Sequence, residues 1–241
     1  MGRAFEVRKV AMAKTSAAKS KVYAKYGKEI YMAAKSGSPD PEANTSLKRL
    51  IERAKKDQVP AEVIKRAIEK AKGGSDENYI PVRYEGFGPG NSMLIVECLT
   101  DNVNRTIAEV RNCFTKTGGK LGVTGSVLHQ FVSHSVFSIP SVSEDEILEM
   151  LIANDLDVSD IETEDDLVTI YGEASDFNKI RTAFNDTYPD IEFQTEEIMF
   201  FPLMPTTLDS EEDQQRMEKL LQTLDELDDV QDVYHNVESN S

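Results

Sequence analysis

The chain has 241 residues, of which 39% are hydrophobic and 29% charged, with 10 Phe, 8 Tyr and a formal net charge of −16. That apolar content excludes a disordered chain and is enough for two or three small cores. No apolar run approaches the ~20 residues of a membrane span, Met1-Gly2-Arg3 precedes no apolar leader core, and Cys98 and Cys113 fall in apolar patterns that suit buried thiols in a reducing cytoplasm.

Residues 1–20 are basic and rich in Ala and Ser without an apolar period, and read as an arm that orders on a partner. From Lys21 a helix begins, with Val22, Tyr26, Ile30 and Ala33 on one face and Gly37 at its stop. After the Pro39-Asp40-Pro41 turn, Leu47, Leu50, Ile51 and Ala54 recur at helical spacing. Pro60 opens a third helix lined by Val63, Ile64, Ala67, Ile68 and Ala71 and ended by Gly73-Gly74. Three short helices with single stripes can bury them only against one another, so 21–74 reads as a three-helix bundle.

Strands are expected over Val82–Glu85 and Met93–Leu99, either side of the Gly86–Gly90 loop. A helix from about Val103 to Thr117 follows, stopped by Gly118-Gly119, and then a strand over Ser126–Val132. Residues 133–201 hold a βαββαβ series: Val136–Ile139, Ser143–Ala153, Val158–Glu162, Leu167–Tyr171, Ala174–Thr187 and Ile191–Thr195. That order is the ferredoxin-like plan. The tail adds a strand near Phe200–Met204, a helix over Asp209–Leu227 and a strand over Val230–Val237. Neither 79–132 nor 202–237 completes a sheet alone, so the two are expected to form one α/β domain into which 133–201 is inserted. The fold class is α+β multidomain: an N-terminal three-helix bundle followed by two ferredoxin-like α/β domains, one inserted in the other.

The charge is segregated. Residues 1–72 carry 18 Lys and Arg against 8 Asp and Glu, which leaves 9 against 35 for the rest. Cations gathered at one end of an acidic chain are the footprint of a module that meets a polyanion. The candidate contacts are Arg8, Lys9, Lys14 and Lys19 in the arm, Lys21, Lys25 and Lys28 on the first helix, Lys48, Arg49, Arg53, Lys55 and Lys56 on the second, and Lys65 and Arg66 on the third. Phosphate contacts from such residues give affinity without sequence choice. The link Asp57-Gln58-Val59-Pro60 and the Ala61-Glu62 start of the third helix make a poor base-reading helix. Backbone-dominated binding to DNA or RNA follows.

Other constellations are weaker. The Gly86-Phe87-Gly88-Pro89-Gly90 and Gly119-Lys120-Leu121 stretches fit neither the dinucleotide nor the Walker pattern and read as turns. In Thr100–Thr106, Asp101 or Asn102 suits a helix cap, while Asn102, Asn104 and Arg105 offer a small polar contact surface for a partner. His129 and His134 on one continuous strand would face opposite sides. Acidic runs fall at helix starts or a hairpin bend, where they suit the helix dipole. No catalytic residue, metal site, cofactor, membrane contact or small-molecule substrate is expected, and the chain reads as a cytoplasmic non-enzyme.

Several segments together resemble the YebC/PmpR family: Pro39-Asp40-Pro41-Glu42-Ala43-Asn44, Val82 to Gly90, Val96 to Thr106, Ala108-Glu109-Val110-Arg111, Gly118-Gly119-Lys120-Leu121-Gly122, Gly125-Ser126-Val127, and Asp229 to Asn236. The resemblance covers nearly the whole chain. It implies a bacterial cytoplasmic protein with a helical N-terminal domain and two α/β domains, described as a probable transcriptional regulator that binds DNA. A mitochondrial branch activates translation of a cytochrome oxidase subunit, and bacterial relatives are implicated in translation on the ribosome, so ribosomal RNA is the alternative partner. The family carries no catalytic residues. Positions 2–9 depart from the Gly-His-Ser-Lys-Trp opening of most relatives, and Tyr23 to Tyr31 looks like the smaller YeeN-type branch.

Overall fold

The computed structural model describes residues 19–73, 78–140, 142–164, 166–189 and 191–238; the arm cations Arg8, Lys9 and Lys14 lie outside them. The described chain forms two compact units, one being Phe131–Leu203 and the other joining 19–130 to 204–238.

The second unit begins with α1 (Lys19–Ser36), α2 (Thr45–Lys56) and α3 (Ala61–Lys72). Asn44 caps α2, accepting from the Leu47 N–H at 3.0 Å, while its own amide donates to the carbonyls of Ala33 and Ser38. One side chain thus starts α2 and fixes its turn from α1. Tyr26 and Ile30 of α1, Leu47 and Ala54 of α2, and Ile64 and Ala67 of α3 share one core. Removing a fully buried side chain such as Leu47 would cost about 2–5 kcal/mol.

Next come β1 (Ile80–Phe87), β2 (Met93–Thr100), α4 (Val103–Lys116) and the two-residue β3 (Lys120–Leu121). β1 and β2 are a direct antiparallel hairpin, turned by Gly90 and Asn91 at φ of 61° and 58°. Asn102 caps α4, and Gly118 at φ 80° follows it, a backbone state that favours glycine.

The strand expected over Ser126–Val132 is not formed. The buried Glu85 carboxylate accepts from the backbone N–H groups of Gly125 and Val127, both at 2.6 Å, and of Leu128 at 2.7 Å. Those donors are therefore unavailable to a sheet ladder, and the chain makes a 3-10 turn over Leu128–Gln130 before extending at Phe131. His129 lies in that turn and His134 on the strand after it, so the two do not share a strand as expected.

The unit Phe131–Leu203 contains β4 (Phe131–Pro140), α5 (Glu144–Ala153), β5 (Val158–Glu164), β6 (Leu167–Glu173), α6 (Phe177–Thr187) and β7 (Thr195–Pro202). Its antiparallel sheet has the order β5-β6-β4-β7, the ferredoxin-like arrangement. Ser143 and Glu146 form a reciprocal capping box at α5. Phe137, Ile139 and Ile170 of the sheet meet Ile147, Leu151, Ile180 and Phe184 of the helices. The separate strands expected at Ile191–Thr195 and near Phe200–Met204 are instead the single β7, which pairs with β4 from Thr195 opposite Ser138 to Pro202 opposite Phe131. Phe193, just before it, packs its ring between Phe137 and Phe184.

α7 (Glu211–Asp225) and β8 (Val230–His235) return to the first sheet, whose order is β3-β1-β2-β8, all antiparallel. Leu94, Val96 and Cys98 of β2 pack against Val110 and Phe114 of α4 and Leu220 and Leu224 of α7. The element order here is ββαβαβ, without the strands expected for this domain over Ser126–Val132 and near Phe200–Met204. The turn over Gly88–Asn91 is too short to hold a crossover helix, so β1 and β2 must pair as a hairpin. Both cysteines are buried free thiols, and burial pushes that of Cys98 up to about 12.

Candidate nucleic-acid interface

In α2 the buried stripe leaves Lys48, Arg53, Lys55 and Lys56 exposed and Arg49 half-buried. In α3, Lys65 and Arg66 are exposed, as are Lys70 and Lys72 farther along. Lys19, at the start of α1, is exposed too. Acidic neighbours meet some of these cations: Lys48 pairs with Glu42 at 3.0 Å, and Lys65 approaches Glu69 at 4.0 Å. Asp57 is engaged by the Tyr26 hydroxyl. Exposed pairs of this kind are weak, and a phosphate can compete with them.

The cations of α1 behave differently. Lys21 is buried, forms an ion pair with Asp225 at 3.0 Å, and is pushed by burial down to about 8. Lys25 donates to the Gln231 carbonyl at 2.6 Å. Lys28 donates to the Asp228 carbonyl at 2.9 Å and to the Asp229 carboxylate at 2.6 Å. These three residues, expected at a polyanion surface, instead join α1 to residues 225–231 of the same chain, about 200 positions later. Among the described residues, the candidate interface is correspondingly narrowed to α2, α3 and the start of α1.

Asp229 is the centre of that junction. Only 3% exposed, it accepts from Lys28, from Arg105 at 2.6 Å, from Thr106 at 2.7 Å and from Thr100 at 2.9 Å. Burial alone would raise its pKa, but the hydrogen bonds from Lys28, Arg105 and Thr106 outweigh it and hold the carboxyl well below the usual carboxylate range. Arg105, expected at a partner surface, bridges Asp101 and Asp229, and Asn102 is the α4 cap; Asn104 is exposed on the first turn. Asp229 escaped the sequence reading because its partners lie about 120 to 200 positions away, at residues 28, 100, 105 and 106.

Comparison with known proteins agrees with the motif resemblance. A family model described as the TACO1/YebC N-terminal domain matches residues 3–74, and one for the second and third domains matches 79–237. The chain belongs to the TACO1/YebC family. It is 58% identical over 236 residues to a probable transcriptional regulatory protein of Alteromonas mediterranea, covering 98% of both chains. A protein of the same description from Acholeplasma laidlawii is 57% identical over 240 residues, with 100% of this chain and 99% of the other covered. The crystal structure of a conserved hypothetical protein from Aquifex aeolicus superposes with a TM-score of 0.75 at 36% identity, covering 94% of this chain and 93% of that one. The family boundary between the N-terminal domain and the rest falls in the segment joining α3 to β1, after Lys72, the last exposed cation of α3.

Among the described residues, no group of three or more His, Cys, Asp or Glu is arranged to hold a metal ion, and no helix is long and apolar enough to cross a membrane.

Proposed function

We propose that this TACO1/YebC protein is a regulator of gene expression that grips nucleic acid through the outward cations of α2 and α3. One observation carries the reading: the first 72 residues hold 18 of the 27 basic side chains, and those on α2 and α3 point away from the core. The names of its relatives support transcription as the process, for which DNA is the natural target. Ribosomal RNA is a second reading, favoured by the start of α3, where Ala61 and Glu62 occupy the turn that a base-reading helix fills with polar donors. In either case the affinity comes from phosphates, and the acidic remainder keeps the polyanion from the other surfaces.

The test is charge reversal at Lys48, Arg49, Arg53, Lys55 and Lys56 together. Binding of the full chain to duplex DNA, to RNA and to ribosomes is measured by fluorescence anisotropy and co-sedimentation. The expected result is a loss of on the order of 10³-fold or more, reflecting several lost phosphate contacts. Retention of binding to all three would remove α2 from the interface. Retained promoter fragments over random competitors would support DNA, and co-sedimentation alone would support the ribosome.

A further inference from the structure

A cavity of about 320 Å³ opens on the bundle between the Pro39–Pro41 turn and α3. Pro39, Pro41, Ile64 and Ile68 line it, so much of its wall is apolar. Lys55, Lys65 and Lys72 line the same opening, and all three are exposed. Glu69 is the one carboxylate there, with the Lys65 ammonium at 4.0 Å. The combination is therefore an apolar slot carrying more cations than anions.

A nucleotide presents the complement of such a slot: a flat apolar face attached to a negatively charged chain. We infer that the groove receives one base splayed out of a single-stranded nucleic acid, with the neighbouring phosphates on Lys55, Lys65 and Lys72. The inference rests on the preceding reading that α2 and α3 meet nucleic acid, and adds the form of it that is recognised. Duplex phosphates can reach the exposed face of α2, but a paired and stacked base cannot enter a slot without being flipped out. Single strands offer their bases freely, and the proline and isoleucine side chains give one base face an apolar surface to lie on, by burial rather than by ring stacking. The size agrees, since this volume lies at the low end of small-ligand sites, roughly 300–1,000 Å³. It suits one base and its sugar rather than a run of stacked bases. Glu69 also accepts hydrogen bonds, which suits the amino edge of a base and not a second phosphate.

The experiment compares three strands with the same number of phosphates on the full-length protein: a labelled single-stranded dodecamer, the same strand with every base removed, and a duplex. RNA and DNA versions run in parallel to separate the sugars. The native protein is expected to bind the base-bearing strand about tenfold more tightly than the abasic one, the order that burying roughly 50–60 Å² of apolar base surface gives. Ala61 lines the groove at an exposed position in the first turn of α3. Ala61→Leu is expected to crowd it without adding a ring on which a base could stack, abolish that tenfold difference and leave duplex affinity unchanged. Equal affinity of native protein for base-bearing and abasic strands would overturn the groove, whatever the variant does. Absence of binding to every strand at low salt would instead overturn the cationic-face reading on which it rests.

Discussion

Asp229 shows how much one carboxylate can organise. Its hydrogen bonds join β2, α4, α1 and the turn before β8, and they are all made to a charge that has left water. Breaking such a buried arrangement by removing one member costs about 3–5 kcal/mol, because the partners remain buried and unpaired. Asp229→Asn, which keeps the shape and removes the charge, is expected to fall in that range in urea unfolding at neutral pH. The sign with pH is fixed by the depressed folded pKa: this stabilisation is complete above the unfolded value near ~4 and is lost as pH falls through the folded one. The gap between native and Asp229→Asn stabilities should therefore narrow as pH drops below ~4, and a constant gap would show that the charge is not what matters. None of this was legible locally. Lys28 could be counted as a cation from the sequence, but its commitment to a residue about 200 positions away could not.

At the scale of elements, α1 packs into the bundle with one face while its lysines reach the α/β part of the same unit. Lys21 carries out that second task at a cost. Its folded pKa of about 8 lies below the ordinary 10.5, so the unfolded chain holds the proton more firmly and burial of the charge opposes folding throughout neutral pH. Lys21→Met keeps the stem and removes the charge, and its former partner Asp225 is exposed to solvent. The variant is expected to be more stable by about 1–2 kcal/mol at pH 7. That advantage should shrink as pH rises from about 8 toward 10.5, where native Lys21 sheds its proton. A lower thermal midpoint for the variant at pH 7 would mean that the ion pair outweighs burial.

Elements with local punctuation were readable to within a residue or two. α4 runs from the Asn102 cap to the turn before Gly118, and α5 starts at its Ser143 capping box. The errors share a cause of another kind. Ser126 to Val132 has a strand-like composition, yet part of its backbone is claimed by Glu85, some 40 positions earlier. β7 was divided because Phe193 resembles a strand residue while serving as a plug between two rings, and because the partner that unites 195–202 is β4. The candidate interface was legible as a composition, since α2 and α3 alternate buried and cationic positions. Its groove was not, because Pro39 and Ile68 meet only in the folded chain.

The charge of the chain is segregated, so the proposed binding to nucleic acid is expected to be unusually sensitive to salt. A strand held by several side chains of α2 and α3 releases a counterion at each phosphate, and repulsion from the acidic parts deepens the effect only while screening is weak. With about five phosphates engaged, log K against log[salt] should fall with a slope near −3.5 for single strands and −4.5 for duplex. Titrations between 50 and 200 mM salt, roughly the range over which such slopes are read, measure it. A slope near zero would mean that the contact is not electrostatic.

The anchor of α1 is made late. Lys25 and Lys28 close on Gln231, Asp228 and Asp229, which leave the ribosome about 200 residues after them. Until then a nascent chain has no counterpart for these lysines, and a product terminated early would keep them bare. Such a fragment would present a broader positive surface than the finished protein and would cling to nucleic acid less selectively. Synthesis of β8 and the turn before it would therefore trim that positive surface as well as finish the sheet.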